Sequence, residues 1–379
     1  MVKVGYVLCA DKNNGSTRIS SLNMFPFLKQ ADYQPVVIHQ SGHYQTKPNL
    51  DLLVETAASL GFKQGDIIYF QKVHGSSAVK AANSLKERGI KTVFGICDYV
   101  DPEMARCCDA VVVPSEPWKE IYAKSNNKSF VVHDGIESPD RFKTVYSQQV
   151  ATKYQPLEVV LLTSQRMQQV PLLTYLPYYV RLTVIGDYSP LVDSPGKIKN
   201  DGFNFIKRLS VWRAISPTAR TAGLAARMLK NKLRDGRNTS SESSSRISFK
   251  TLPWSLETIY QQLPCFDAAI IPIEFNLPVD LKTVQEDLTY AKSANRLTQL
   301  MAAGLAVIAS PLPSYLPIIN TGQNGFIAYS LTDWAAFFKE LKDPTARESI
   351  GHAARESVIE TFSQEEQARK LIEVFRAIA

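Results

Sequence analysis

Five consecutive residues, Lys292-Ser293-Ala294-Asn295-Arg296, put two cations, a hydroxyl and an amide where an apolar-periodic segment begins. The start of a helix leaves backbone N–H groups without intrahelical partners, and a Ser at or near the cap with cations beside it makes a coherent diphosphate site. Arg grips phosphate through two N–H groups and Lys acts as a point charge. Each charge-assisted bond contributes roughly 1.5–3 kcal/mol. The competing reading of these residues alone is a solvated, capped helix with ordinary surface charges. The loop leading to them opens at Glu274, directly after an apolar run ending at Ile273.

These residues need elements to hold them. In the first half, short apolar runs at Val2–Ala10, Pro35–His39, Asp66–Phe70, Lys91–Cys97, Ala110–Pro114 and Ser129–His133 read as strands. Helical patterns at Ile19–Gln30, Asp51–Leu60, Ser76–Arg88, Pro102–Cys108 and Glu116–Lys124 alternate with them. Runs without polar alternation, separated by helices, predict a parallel sheet covered on both faces. A second series starts at Leu157–Thr163 and Arg181–Ile185 and resumes at Ser248–Lys250, Ala268–Ile273 and Ala306–Ala309. Helices are expected at Ser255–Leu263, Ala294–Ala303, Asp333–Leu341, Ala346–Glu360 and Gln364–Ile378. The fold class is α/β, two Rossmann-like doubly wound domains facing a cleft. The expected domains are 1–152, 153–358 and a C-terminal helix at 359–379 that packs back on the first, with an insertion at 187–247.

The chain has 379 residues and a net charge of +7, with 45% hydrophobic and 21% charged residues, an ordinary globular composition. Residues 203–237 carry nine cations (Lys207, Arg208, Arg213, Arg220, Arg227, Lys230, Lys232, Arg234, Arg237) against the single acid Asp235. The rest of the chain is therefore almost neutral, which speaks against a general nucleic-acid surface. Phe203, Phe205, Ile206 and Trp212 lie beside those cations, a pattern suited to an anionic membrane surface at roughly 1 kcal/mol per engaged cation. A mobile, solvated insert is the alternative. The five cysteines form no Cys-x-x-Cys pair and no zinc spacing, and read as buried thiols in a reducing compartment. No run of 18 apolar residues occurs, and the N-terminus turns polar too soon for a signal peptide. The expected location is cytoplasmic, peripheral on a membrane.

The order of several segments resembles glycosyltransferases of the GT-B fold, nearest to the retaining nucleotide-sugar-dependent type (glycosyltransferase family 4, or group 1). The segments are Gly15-Ser16-Thr17-Arg18-Ile19, Cys108-Asp109-Ala110-Val111-Val112-Val113-Pro114-Ser115 and His133-Asp134-Gly135-Ile136-Glu137, then Pro253-Trp254-Ser255-Leu256-Glu257 and Phe266 to Pro272. They continue with Lys292 to Arg296, Met301 to Ser310 and Gly322-Gln323-Asn324-Gly325-Phe326. The resemblance spans nearly the whole chain except 187–247.

It implies transfer of a sugar from a UDP- or GDP-sugar to a glycan or lipid-linked acceptor, with no cofactor and no divalent metal. Asp-x-Asp, the mark of the metal-dependent alternative fold, occurs nowhere. On the donor side it implies Ser164, Arg166, Glu274, Lys292, Ser293, Asn295, Arg296 and Gln299. On the acceptor side it implies Ser16 and Arg18, while the strand-end loops of the first lobe, where parallel sheets place ligands, themselves offer Arg18, Gln71, Lys72, His74, Asp98 and Asp101; the catalytic candidates are Lys292, Arg296, Asp98 and His74. Amides and cations would stabilise the departing diphosphate, which itself takes the acceptor's proton. Asp98 or Asp101 can orient hydroxyls or serve an inverting mechanism as base, although Asp101-Pro102 is equally suited to a helix cap. The family carries two glutamates with seven residues between them at positions occupied here by Ala291 and Gln299, and the second usually holds the ribose. That departure motivates an alternative of a different class, a non-catalytic subunit that binds or activates a partner transferase. A sugar-nucleotide epimerase on the same fold is a weaker third.

Overall fold

The computed structural model describes residues 1–163, 176–186, 249–273 and 288–379. The contacts divide the chain into two units. Unit 1 comprises Met1–Pro139, Ala291–Gln299 and Val358–Ala379, and unit 2 comprises Asp140–Tyr290 and Leu300–Ser357. The sequence reading draws its first boundary at 152/153, and the contacts draw theirs at Pro139/Asp140. The insertion 187–247, with its basic stretch 203–237, lies outside the described residues.

Unit 1 holds six parallel strands, β1 (Val2–Leu8), β2 (Tyr33–Gln40), β3 (Ile67–Gln71), β4 (Lys91–Gly95), β5 (Ala110–Val113) and β6 (Ser129–Val131). Their order is β2-β1-β3-β4-β5-β6. Every residue of β3 and β5 is buried, as strands covered on both faces require. The crossovers are α1 (Gly15–Ser20), α2 (Phe25–Gln30), α3 (Leu53–Ser59), α4 (Ser76–Glu87), α5 (Pro102–Cys107) and α6 (Glu116–Tyr122). The continuous helix expected over Ile19–Gln30 is instead two short helices joined by a 3-10 turn at Leu22–Met24. Ser21 leaves helical geometry at φ −141°, and Pro26 restarts the helix in its first turn, where its missing N–H costs nothing. One sheet face packs Val4, Tyr6, Ile67, Tyr69 and Val93 against Leu371, Phe375 and Ile378 of the chain's last helix.

Unit 2 repeats the plan with β7 (Leu157–Thr163), β8 (Val180–Gly186), β9 (Phe249–Leu252), β10 (Ala268–Ile271), β11 (Ala306–Ala309) and β12 (Phe326–Ile327). These are parallel in the order β12-β11-β10-β7-β8-β9. The two-residue β12 is a strand that its short apolar run does not announce. The remaining helices of the chain are α7 (Leu256–Gln262), α8 (Asn295–Ala302), α9 (Leu331–Glu340), α10 (Pro344–Ile359) and α11 (Gln364–Ile378), the last of which belongs to unit 1. The core joins Leu157, Val159 and Leu161 to Ile308, Phe326, Trp334 and Phe338. Helix α8 gives Asn295–Gln299 to unit 1 and its last three residues to unit 2.

All five cysteines are free thiols. Cys9 and Cys108 are buried and Cys97 and Cys107 half-buried, but Cys265 is exposed, against the expectation of burial. It closes the 3-10 turn Leu263–Cys265 that follows α7, and the turn buries Leu263 in its place. Among the described residues no helix is long and apolar enough to cross a membrane.

Phe375 has no exposed surface, so Phe375→Ala is expected to destabilise unit 1 by about 3–5 kcal/mol in denaturant unfolding. A loss below about 1 kcal/mol would contradict the placement of α11 in that core.

Candidate functional site

In an open parallel sheet the ligand crevice lies beyond the carboxyl ends of the strands, at the pair where strand order reverses. In unit 1 that pair is β1 and β3. Gln71, the last residue of β3, is 1% exposed. Its Oε1 accepts from the Cys9 N–H at 3.4 Å and the Thr17 hydroxyl at 3.2 Å, tying the two diverging loops together.

Lys72 follows with φ +56°, the left-handed region that non-glycine residues seldom occupy. Its backbone is held there from both sides. The Lys72 N–H donates to Gly95 O at 2.7 Å, and its carbonyl accepts from the Tyr99 hydroxyl. The buried Lys72 ammonium pairs with Asp98, whose own side chain is half exposed. Burial works against that charge, yet Cys97 and Asp98 outweigh it and hold the Lys72 pKa above its ordinary value. Burial also pushes the Cys97 thiol up, so that thiol is neutral at pH 7 and Asp98 is the partner that counts.

His74 and Asp101 form a second pair, Nδ1 to Oδ2 at 2.8 Å, with the imidazole stacked on Tyr99 at 4.0 Å between ring centres. Asp101 also receives the Gly75 N–H at 3.3 Å and, through Oδ1, the Met104 N–H at 2.9 Å, which makes it the N-cap of α5. The cap reading of Asp101-Pro102 and an orienting role for the aspartate therefore coexist. The hydrogen bond from His74 is the main cause that lowers the Asp101 carboxyl to about 2.

The segment Ala291–Gln299 joins this edge through unit 1. The Ser115 hydroxyl donates to Ala291 O at 2.9 Å. Ser293 donates to the half-buried Asp134, whose carboxyl desolvation pushes up and Ser293 and Lys72 partly restore. Ser293 thus stands two residues ahead of α8 and serves Asp134. Gln299 accepts the Glu137 N–H through Oε1 at 3.2 Å, and its Nε2 donates to Gly135 O at 3.1 Å and Asn295 Oδ1 at 3.0 Å. Both amide hydrogens of Gln299 are spent inside the protein. A Cβ at Gly135 would stand 2.6 Å from the end of the Gln364 side chain and would push that side chain aside.

Of the acceptor-side expectations, Arg18 is 8% exposed and locked to Glu137 at 2.5 and 3.0 Å, with further bonds to Lys12 O and Asn13 O. Ser16 is held by Asn14 Oδ1 through its N–H at 3.1 Å and its hydroxyl at 2.7 Å. Lys292 and Arg296 are half-buried. Ser164, Arg166 and Glu274 lie outside the described residues. In unit 2 the strand order reverses between β7 and β10. Among the described residues no cluster of His, Cys, Asp and Glu is arranged to hold a metal ion.

The whole chain matches solved structures of one architecture. A glycosyltransferase from Rickettsia africae ESF-5 matches with a TM-score of 0.61 at 15% identity, over 100% of this chain and 98% of that one. Anabaena HepE in complex with UDP matches at 0.59 and 13% identity, over 99% and 100%. Sucrose-phosphate synthase from Thermosynechococcus elongatus matches at 0.58 and 13%, over 100% and 99%. The chain has the GT-B fold. No protein-family model and no curated protein sequence matches it.

Within this GT-B chain, the sequence names Gln71 in a strand-end loop and Thr17 inside a motif but gives neither a role. Their position after β1 and β3 is a signal only once the strand order is known. Ser115, Asp134 and Glu137 stood inside quoted motifs without a role, and their partners lie 119 to 176 residues away for Glu137 with Arg18 and Ser115 with Ala291.

The depressed Asp101 carboxyl sets a pH test. A carboxyl lowered in the folded state adds stability that is complete above its unfolded pKa of about 3.9 and is lost as pH falls toward about 2. Asp101→Asn is expected to lower stability at neutral pH and to flatten the decline between about pH 4 and 2. Parallel wild-type and variant curves across that window would contradict the pairing.

Proposed function

We propose that this GT-B chain is a glycosyltransferase that moves a sugar from a nucleoside diphosphate sugar to a glycan or lipid-linked acceptor. The observation that carries the reading is the tethering of Ala291–Gln299 to the strand ends of unit 1 by Ser115, Asp134 and Gln299. That tether holds Lys292, Arg296 and the first amides of α8 in the same unit as the Lys72–Asp98 and His74–Asp101 pairs. Cations and helix amides suit a departing diphosphate, and the two aspartate-fixed pairs suit acceptor or donor-sugar hydroxyls. UDP is the first nucleotide to test, because HepE has been solved with UDP and with UDP-glucose. Lys292 and Arg296 take the part that a divalent metal plays elsewhere, so the reaction runs without one. The leaving phosphate receives the acceptor's proton, which makes retention the expected outcome. The protein works in the cytoplasm, held at an anionic membrane surface through 203–237.

Gln299 favours a second reading. At a position where related enzymes hold the ribose, its amide hydrogens are committed to Gly135 and Asn295, as a non-catalytic subunit would tolerate. Sugar release or transfer from any donor in an acceptor panel would eliminate that reading.

Titration with UDP and GDP tests the proposal. Wild type is expected to saturate below millimolar ligand with one of them, and Lys292→Ala/Arg296→Ala to weaken that binding by roughly a hundredfold or more, given about 1.5–3 kcal/mol for each lost charge-assisted bond. Absence of binding to either nucleotide at millimolar concentration would overturn it.

A further inference from the structure

Unit 2 carries an open cavity of about 420 Å³, within the range of small-molecule sites. Lys143, Arg347, Glu158, Asp267 and Cys265 line it. Glu158 is the second residue of β7 and Asp267 directly precedes β10, so the cavity lies at the amino ends of the strands. Ligands of parallel sheets bind at the opposite, carboxyl ends. The cavity is therefore separate from the loops assigned above, and the inference does not rest on the proposed activity.

Its cations are unusually placed. Arg347 is 2% exposed and Lys143 6%. The Arg347 guanidinium donates to four carbonyls, Leu341 O at 2.9 Å, Lys342 O at 2.9 Å, Ser147 O at 3.0 Å and Gln149 O at 2.7 Å. Its Nε–H is buried without a partner, and none of the ion pairs among the described residues includes it. Lys143 donates to Phe266 O at 2.8 Å and Pro264 O at 3.3 Å, leaving one of its three hydrogens, with Asp267 at 3.8 Å. Burial lowers the pKa of both groups. The two carboxylates are already engaged: Asp267 receives the Glu158 N–H at 3.0 Å, and Glu158 receives Arg181 at 2.6 Å.

Carbonyls satisfy N–H groups but carry no net charge. Arg347 is thus a desolvated cation with no close ion pair, its charge offset only from beyond contact distance by Asp267 and Asp343, with one unspent donor, beside a second buried cation and an open volume. Taking such a charge out of water is costly unless it is paired. A tetrahedral oxyanion supplies both a counter-charge in contact and acceptors for the remaining hydrogens. We propose that this cavity is an anion site that takes phosphate, free or as the end of a small monoester, against Arg347 and Lys143.

Cys265 provides a readout that needs no mutation, because its exposed thiol lines the same cavity. Alkylation by iodoacetamide, followed peptide by peptide on the full chain, is compared in potassium chloride, inorganic phosphate and glycerol phosphate at equal pH and ionic strength. Phosphate or the ester is expected to slow Cys265 several-fold while Cys107, in unit 1, reacts unchanged. Slowing by both anions identifies the phosphate group as the ligand, and slowing by the ester alone assigns the remaining volume to the ester's body. Unchanged Cys265 rates in both anions would overturn the proposal and leave the cavity to water. Lys143→Met, checked for folding by its melting transition, is expected to lose the protection; equal protection in that variant would also overturn it.

Discussion

The structure depends on a polar clasp between two distant stretches of chain. Asp134 is a carboxyl that desolvation disfavours in its charged form, and the Ser293 hydroxyl offsets part of that cost. Next to it, Gln299 reads one backbone N–H and one backbone carbonyl across 162 and 164 residues of sequence. An amide is suited to this because it donates and accepts at once. A glutamate there would meet the Gly135 carbonyl with a second acceptor. With the clasp in place, a segment whose neighbours in sequence build unit 2 becomes part of unit 1 and brings Lys292 and Arg296 with it.

The chain solves one problem, a cation removed from water, in two ways. At Lys72 a carboxylate answers the charge, at the end of a strand whose next residue is forced into the left-handed region and pinned by Gly95 and Tyr99. Strain of that kind costs about 1–3 kcal/mol and persists where surrounding bonds over-determine it. At Arg347 four carbonyls answer the hydrogens, and Asp267 and Asp343 answer the charge only from beyond contact distance. The first arrangement is complete in itself; the second calls for a ligand.

Much of the fold was legible because both sheets are buried on both faces, so β5, β10 and β11 appear as unbroken apolar runs. The helix over residues 19–30 was misread because apolar periodicity continues through Ser21 while the backbone does not. The allegiance of Ala291–Gln299 was not legible, since local pattern identifies a helix start but not the sheet it serves. Gln71 carries no signal in sequence beyond being a polar residue that ends a buried run, and its two bonds depend on β1 and β3 lying side by side. Lys72, His74 and Asp98 were found because strand-end loops are where parallel sheets put ligands. Their pairing partners emerged only in three dimensions.

Hydrogen–deuterium exchange across the chain, with and without millimolar UDP and GDP, tests the central claim most directly. Nucleotide is expected to slow exchange together in residues 291–299, 72–75 and 133–137, the segments that the clasp and the strand ends hold in one unit. Exchange that stays unchanged in all three, or changes only far from them, would contradict the account.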